Sequence, residues 1–127
     1  MFNNKSSINI KKERRKSLFL REISNIVYMI SQNEPLLASV FPSRVDLSEG
    51  EGVCLVYFSA PSEEDFLKSL DVLKKYKGQI RTAIAQAKQS RYTPELVFKY
   101  DHILEKTQKI EALLNKAKEE DSKSNKN

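Results

Sequence analysis

Few residue types in this sequence could perform catalysis. The single histidine, His102, follows Asp101 at the end of an alternating apolar segment, where a solvent-exposed or helix-capping role is far more common than a catalytic one. The single cysteine, Cys54, lies within an apolar run and is expected to be a buried thiol in a reducing compartment. No histidine or cysteine cluster has zinc-ligand spacing, and three glycines are too few for a Walker or Rossmann phosphate loop. We therefore predict a non-enzymatic protein with no metal, cofactor or small-molecule substrate.

Basic residues at helical spacing are the better candidates for a functional site. Four of them recur at intervals of three, four and seven, and they would share one side of a helical segment if its phase survives Gly78: Lys74, Lys77, Arg81 and Lys88. Such a face could lie along a phosphate backbone. Gly78 would permit close approach, and the free amides that open the following helix favour an anion. Arg91, at the end of this segment, extends the set. A solvated lysine-rich face is the alternative, and composition alone slightly favours it.

A second basic segment lies near the start of the chain. Residues 1–21 hold seven lysines and arginines against one glutamate, whereas the whole chain has a net charge of +5. Four of these cations are candidate phosphate contacts: Lys11, Lys12, Arg14 and Arg15. A solubilising tail is an equally good interpretation. A membrane-surface helix ranks lower because the same helix needs its apolar stripe for the core. No apolar run approaches the roughly 20 residues that span a bilayer, so we predict a cytoplasmic protein without membrane contact.

Hydrophobic periodicity predicts the first half of the domain. Residues 1–10 lack periodicity and are expected to form a flexible basic arm. A helix should begin between residues 11 and 17, because Phe19, Ile23, Ile26 and Ile30 recur at helical intervals. Residues 36–47 are then predicted to form a strand, in which Pro42 indicates an edge position or a bulge. The apolar run 53–60 predicts a central strand with much of both faces buried.

The second half alternates between helix and strand. Ser62 is a predicted N-cap for a helix whose inward stripe contains Phe66, Leu70 and Leu73. A break or kink is expected at Gly78, followed by a third helix that Pro94 bounds. Leu96, Phe98 and Tyr100 then alternate on one face of a strand, and a C-terminal helix follows. Residues 118–127 lack apolar side chains and are expected to be a disordered charged tail.

This order of elements predicts one α+β domain over residues 11–117, with helices packed on one face of a three-stranded sheet. Four segments also resemble a known family, bacterial ribosome-binding factor A. The segment 91–101, RYTPELVFKYD, resembles its C-terminal strand motif, and 44–48, 56–59 and 78–81 resemble its first strand, second strand and helix junction, in the family's order. Tyr76 stands where the family's junction has an alanine, and it could pack in the core or stack on a base, with packing favoured about two to one.

The resemblance implies a type II K-homology-like fold and a monomeric, non-enzymatic assembly factor. Such a factor would bind the small ribosomal subunit or its ribosomal RNA during late maturation. Two alternatives remain open: a protein–protein interaction module, and a generic single-stranded nucleic-acid-binding domain. The Gly-x-x-Gly loop typical of single-strand-binding K-homology domains is absent, which disfavours the second alternative.

Overall fold

The computed structural model describes the backbone of residues 2–87 and 92–124, and the side chains of residues 10–87 and 92–122. Its main elements are α1 (Phe2–Ser31), β1 (Phe41–Leu47), β2 (Val53–Ser59), α2 (Glu63–Lys75), α3 (Lys77–Ala87), β3 (Glu95–Tyr100) and α4 (His102–Ser124). Short 3₁₀ turns occupy Pro35–Leu37 and Glu49–Glu51. The α+β arrangement that the sequence predicts is confirmed.

The three strands form a mixed sheet in the order β1-β2-β3. β2 is central, as predicted, and it pairs antiparallel with β1 and parallel with β3. The register shifts between Pro42 and Arg44, so β1 is an edge strand that carries both the proline and a bulge. This strand begins at Phe41 rather than at Leu36, because Pro35 opens a 3₁₀ turn in the preceding residues.

Helices α1, α2 and α3 cover one face of the sheet, which we call the inner face. Cys54, Val56 and Phe58 alternate along β2 and are fully buried there. They join one core with apolar side chains of the helices and of the other strands, among them Phe19, Ile23, Phe66, Leu73, Ile80, Ile84 and Leu96. Burial of each such side chain contributes about 1.5–3 kcal/mol. The intervening β2 residues are only half-buried, so the prediction of burial on both faces holds for one face alone.

Helix α2 begins where the sequence predicts and ends before the glycine. The Ser62 hydroxyl accepts a hydrogen bond from the Asp65 amide at 3.1 Å, which confirms the predicted N-cap. The chain turns at Tyr76, whose backbone lies at φ −95° and ψ 6°, and α3 starts at Lys77. The Tyr76 ring packs against the core and its hydroxyl donates to Glu34 at 3.0 Å. The kink therefore lies two residues before Gly78, where an anchored side chain holds the turn.

The helices at the two ends are longer than periodicity predicts. α1 begins at Phe2 instead of near residue 11, and α4 continues to Ser124 through most of the segment expected to be disordered. A helix that is already nucleated adds residues at little cost, and neither extension contains a proline or glycine to stop it. Nucleation comes from the packed residues of α1 and, for α4, from Asp101, whose carboxylate accepts the Leu104 amide at 3.0 Å.

Candidate nucleic-acid interface

Three of the predicted cationic residues meet acidic partners at one end of the sheet, where β2 and β3 begin. Lys77 pairs with the Glu95 carboxylate at 3.1 Å, and Arg81 approaches its other oxygen at 3.9 Å. Arg15 reaches Glu51 from α1, with its Nη2 donating at 2.6 Å. Glu51 and Glu95 lie close together because the Glu95 amide donates a hydrogen bond at 3.0 Å to the carbonyl of Gly52, the residue after Glu51. We call Arg15, Glu51, Lys77, Arg81 and Glu95 the strand-start cluster.

Arg81 is held by a backbone carbonyl as well as by its carboxylate partner. Its Nη2 donates to the Thr93 carbonyl at 3.3 Å, which ties α3 to the segment that enters β3. Its Nε is buried and, among the described atoms, has no hydrogen-bond partner. Its side chain is nonetheless 42% exposed, so the guanidinium plane remains open to solvent at its outer edge. Such a fixed, partly exposed fork suits bidentate contact with a phosphate.

Lys77 occupies the junction between the two helices. Its ammonium lies 5.8 Å from the centre of the Phe98 ring, in addition to its contact with Glu95. Lys74 is exposed in the last turn of α2, and none of the described ion pairs involves it. The neighbouring Lys75 places its ammonium 5.6 Å from the centre of the Tyr76 ring. Lys74 and Lys75 extend the positive surface from Lys77 onto the end of α2.

Gly78 lies in the first turn of α3 and is exposed. A Cβ built at this position would meet no atom within 4 Å, and the backbone does not need a positive φ there. The break predicted at Gly78 therefore lies two residues earlier, at Tyr76. Open space around it is compatible with close approach of a ligand, which stays a prediction.

The structure divides the N-terminal cations between two faces of α1. Arg15 and Lys16 point toward the β1–β2 hairpin, where Lys16 pairs with Asp46 at 3.1 Å. The Asp46 hydrogen bond raises the pKa of Lys16, and the same bond lowers the pKa of Asp46. Lys12 is half-buried, whereas Lys11 and Arg14 are exposed. Arg14 borders a shallow groove of about 510 Å³ together with Ile10, Leu18 and Arg21.

Lys88 and Arg91, the remaining predicted site residues, lie outside the described residues. Their role in a site stays a prediction.

Sequence reasoning missed Glu95 and Glu51 as members of the site. Their position depends on pairing between strands that are far apart in the chain, which hydrophobic periodicity does not reveal. The sequence carried no local signal for these contacts, because Glu95 follows the helix-terminating Pro94 in the chain but pairs with Lys77 and Arg81 in the first turns of α3. The result is a cationic surface whose charges are partly neutralised in the free protein.

The structure offers little for catalysis in the part of the chain it describes. Cys54 is fully buried, and burial raises the pKa of its thiol to about 11, so the predicted structural thiol is confirmed. His102 opens α4 with an exposed ring that lies 2.7 Å from the Glu63 carboxylate. Among the described residues, no three histidines, cysteines or acids are placed to hold a metal ion. No helix of the described chain is long and apolar enough to cross a membrane.

Comparison with known proteins agrees with this architecture. Residues 11–114 match the family model of ribosome-binding factor A. The chain is 31% identical over 107 residues to ribosome-binding factor A of Clostridium tetani, covering 84% of this chain and 88% of the relative. It is 33% identical over 104 residues to that of Desulfitobacterium hafniense, covering 81% and 82%.

Solved structures show the same fold. The crystal structure of ribosome-binding factor A from Thermus thermophilus has a TM-score of 0.61 and 23% identity, covering 70% of this chain and 93% of that one. The solution structure of a putative ribosome binding factor A from Thermotoga maritima has a TM-score of 0.51 and 27% identity, covering 66% and 84%. The K-homology-like fold implied by the resemblance is thus confirmed. On its sequence, its order of elements and its fold, the chain belongs to the ribosome-binding factor A family.

Proposed function

We propose that this chain is a non-enzymatic assembly factor that binds the ribosomal RNA of the small subunit during late maturation. Membership of the family supports a ribosome-associated role. The observation that carries the finer proposal is the convergence of Lys77 and Arg81 on one carboxylate at the start of β3, with Lys74 exposed at the end of α2, three positions before Lys77. Cations grouped around a single carboxylate can instead be grouped around a phosphate.

The mechanism is electrostatic docking by exchange of partners. An incoming phosphate replaces the Glu95 carboxylate beside Lys77 and Arg81, so the cations are already positioned before RNA arrives. Arg81 stays in place because Thr93 holds it independently of Glu95. The same carboxylate re-forms its ion pairs when RNA leaves, which keeps the binding reversible. A factor that must leave the mature subunit benefits from this competition. The protein acts in the cytoplasm as a monomer and catalyses no reaction.

A protein-binding role is the second candidate, and helix α4 favours it. Its apolar side chains are largely exposed: Ile103 by 65%, Ile110 by 57%, Leu113 by 67% and Leu114 by 58%. Side chains of this size rarely line up on an unpacked helix without a partner. In this role α4 docks on a ribosomal protein, and the cations on α2 and α3 serve only solubility.

Co-sedimentation with separated ribosomal subunits tests the first candidate. The purified chain is mixed with small or large subunits at about 50 mM and 200 mM salt, and the pelleted fraction is measured. Selective pelleting with small subunits that weakens at the higher salt is expected, because contacts with phosphates release counterions. A variant with Lys77→Gln and Arg81→Gln should pellet less, whereas Lys116→Gln with Lys118→Gln, an equal loss of charge on exposed α4, should behave as wild type.

Three outcomes contradict the proposal. Equal pelleting with both subunits indicates nonspecific binding of a basic protein, and no pelleting at either salt removes the ribosome as the target. Salt-insensitive pelleting that survives loss of Lys77 and Arg81, yet fails after Leu113→Ser and Leu114→Ser on α4, supports the protein-binding role instead.

A further inference from the structure

The outer face of the sheet carries a row of side chains that the helices do not cover. The buried apolar residues of helices α1, α2 and α3 pack on the inner face, and every described side chain of α4 from Lys106 onward is exposed. On the outer face, strand pairing aligns Arg44 with Tyr57 and Tyr57 with Lys99. Adjacent strands are about 4.8 Å apart, so this row spans roughly 10 Å. An aromatic ring thus lies between two cations.

Arg44 is held rigidly over the tyrosine. Its guanidinium carbon lies 3.7 Å from the centre of the Tyr57 ring, which is stacking distance. Its Nε lies 3.2 Å from a carboxylate oxygen of Asp101, a residue whose side chain is only 3% exposed. The Ser43 hydroxyl, in the β1 bulge, donates to the same oxygen at 2.6 Å. Asp101 also caps α4, so this anchor is fixed by three elements at once.

The anchored guanidinium leaves binding capacity toward solvent. Among the described hydrogen bonds of Arg44, only Nε is used, and the side chain is 38% exposed. One face of the guanidinium plane covers Tyr57, so the other face is the one available to a ligand. Lys99 is exposed at the far end of the row, and the ion pairs of the described residues do not include it. Leu55 and Val97 form the next pair of neighbours on the same face of the sheet. Both are half-buried, and they add apolar surface beside the row.

A flat stacked plane between cations on a sheet is complementary to an unpaired nucleotide. Bases stack on aromatic rings or on arginine planes, while the phosphates beside them bind lysine ammonium groups. A protein partner would need a larger apolar area than Leu55, Val97 and part of Tyr57 provide. In duplex RNA only the edges of the bases are accessible, whereas the Arg44 plane would need the face of a base to stack on.

We propose that the Arg44–Tyr57–Lys99 row is a second RNA contact, which stacks one unpaired base on the Arg44 plane that Tyr57 supports and binds an adjacent phosphate with Lys99. It lies on the face opposite the helices, so it is separate from the surface formed by α2 and α3. This inference rests on the proposed function, and it adds that the outer face binds single-stranded RNA. The protein would then hold RNA on two faces at once.

Two probes of equal charge separate stacking from electrostatics. Fluorescence anisotropy measures the dissociation constants of labelled hexaadenylate and of a ribose-phosphate hexamer that lacks bases, at about 50 mM salt. Wild type is expected to bind hexaadenylate at least about 5-fold more tightly, because one stacked base contributes a factor between about 5 and 160. Tyr57→Leu, which keeps an apolar side chain on the strand, should lose this preference and leave binding of the base-free probe unchanged.

Further variants control for folding and charge. Arg44→Lys keeps the charge but removes the stacking plane, so it should act in the same direction as Tyr57→Leu. Lys99→Gln should weaken the binding of both probes by a similar factor. Tyr28→Leu removes a tyrosine that is 66% exposed on α1, and it should change the affinity for neither probe. Unfolding midpoints confirm that each variant is folded before its affinity is compared.

Equal affinity of wild type for the two probes would overturn the inference, and so would a Tyr57→Leu variant that binds hexaadenylate like wild type. An equal loss for both probes in Tyr57→Leu would overturn it as well. The proposed function has a separate readout, because the variant lacking Lys77 and Arg81 reports on the helical surface in co-sedimentation. If the variant lacking Lys77 and Arg81 fails to pellet while wild type shows no preference for hexaadenylate over the base-free probe, the outer-face contact is wrong and the proposed function stands.

Discussion

At the scale of single residues, the Glu95 carboxylate competes with any phosphate for Lys77 and Arg81. We expect Glu95→Gln to increase affinity for ribosomal RNA, since the variant keeps the shape of the side chain and removes its charge. An exposed ion pair contributes about 0.2–1 kcal/mol, so the gain should be roughly 1.5- to 5-fold at low salt. Filter binding to small-subunit RNA measures it, with Glu111→Gln on exposed α4 as the matched control. A loss of affinity would show that Glu95 positions the cations rather than competing for them.

Asp101 is the residue that couples β1, β3 and α4. Burial raises its pKa, but hydrogen bonds from Ser43 and the Leu104 amide, together with the Arg44 charge, lower the pKa below its ordinary value of 3.8. Because the folded pKa is depressed, the ionised form stabilises the fold above the unfolded pKa. That contribution is lost as the pH falls through the folded value.

We therefore expect Asp101→Asn to lower the free energy of unfolding by roughly 2 kcal/mol at pH 7, the usual worth of hydrogen bonds to a charged group. The difference from wild type should shrink when urea unfolding is repeated near pH 3. Asp121→Asn, an exposed substitution on α4, is the control and should have little effect at either pH. A difference that stays constant with pH would mean that the carboxylate charge contributes nothing.

At the scale of elements, α4 is a helix that the rest of the domain does not need. Its described side chains beyond Glu105 are exposed, and the match to the family model ends at residue 114. Removal of residues 115–127 should change the free energy of unfolding by less than about 0.5 kcal/mol, as for other exposed segments. Leu73→Ala, at a fully buried position, should lower the free energy of unfolding by about 2–5 kcal/mol. This variant is the positive control for the sensitivity of the assay. A loss above about 1 kcal/mol on truncation would show that α4 packs on the domain in solution.

The junction of α2 and α3 shows how element boundaries depend on the fold. The sequence contains Gly78, and the natural prediction is a kink at that residue. In the structure the turn occurs at Tyr76, because its ring packs on the core and its hydroxyl binds Glu34, 42 positions earlier in the chain. Local propensity predicted that the helix breaks here, and only a long-range contact decided at which residue.

At the scale of the whole molecule, the cations of α2 and α3 should set the salt dependence of RNA binding. Each neutralised phosphate contributes about 0.7 to 0.9 to the log-log slope. Lys77→Gln with Arg81→Gln should flatten the slope by about 0.7 if Glu95 already neutralises one cation, and by up to about 1.8 if both contact phosphates. Dissociation constants between about 50 and 200 mM salt give the slope, with Lys116→Gln plus Lys118→Gln as the control. An unchanged slope would remove this surface from the mechanism.

The sequence by itself determined the order of the elements, the central position of β2, the bulged edge strand and the N-cap of α2. These follow from periodicity, from Pro42 and Pro94, and from Ser62, all of which act over a few residues. It also marked Lys77 and Arg81 as candidate contacts, because helical spacing places them on one side.

The tertiary structure alone decided what those cations meet. Parallel pairing of β2 and β3 brings Glu95 beside Gly52, and so places two acids next to Arg15, Lys77 and Arg81. It likewise aligned Arg44, Tyr57 and Lys99 across three strands. These partners are separated by 13 positions or more along the chain. Contacts over such distances depend on strand register and helix packing, which no local pattern encodes.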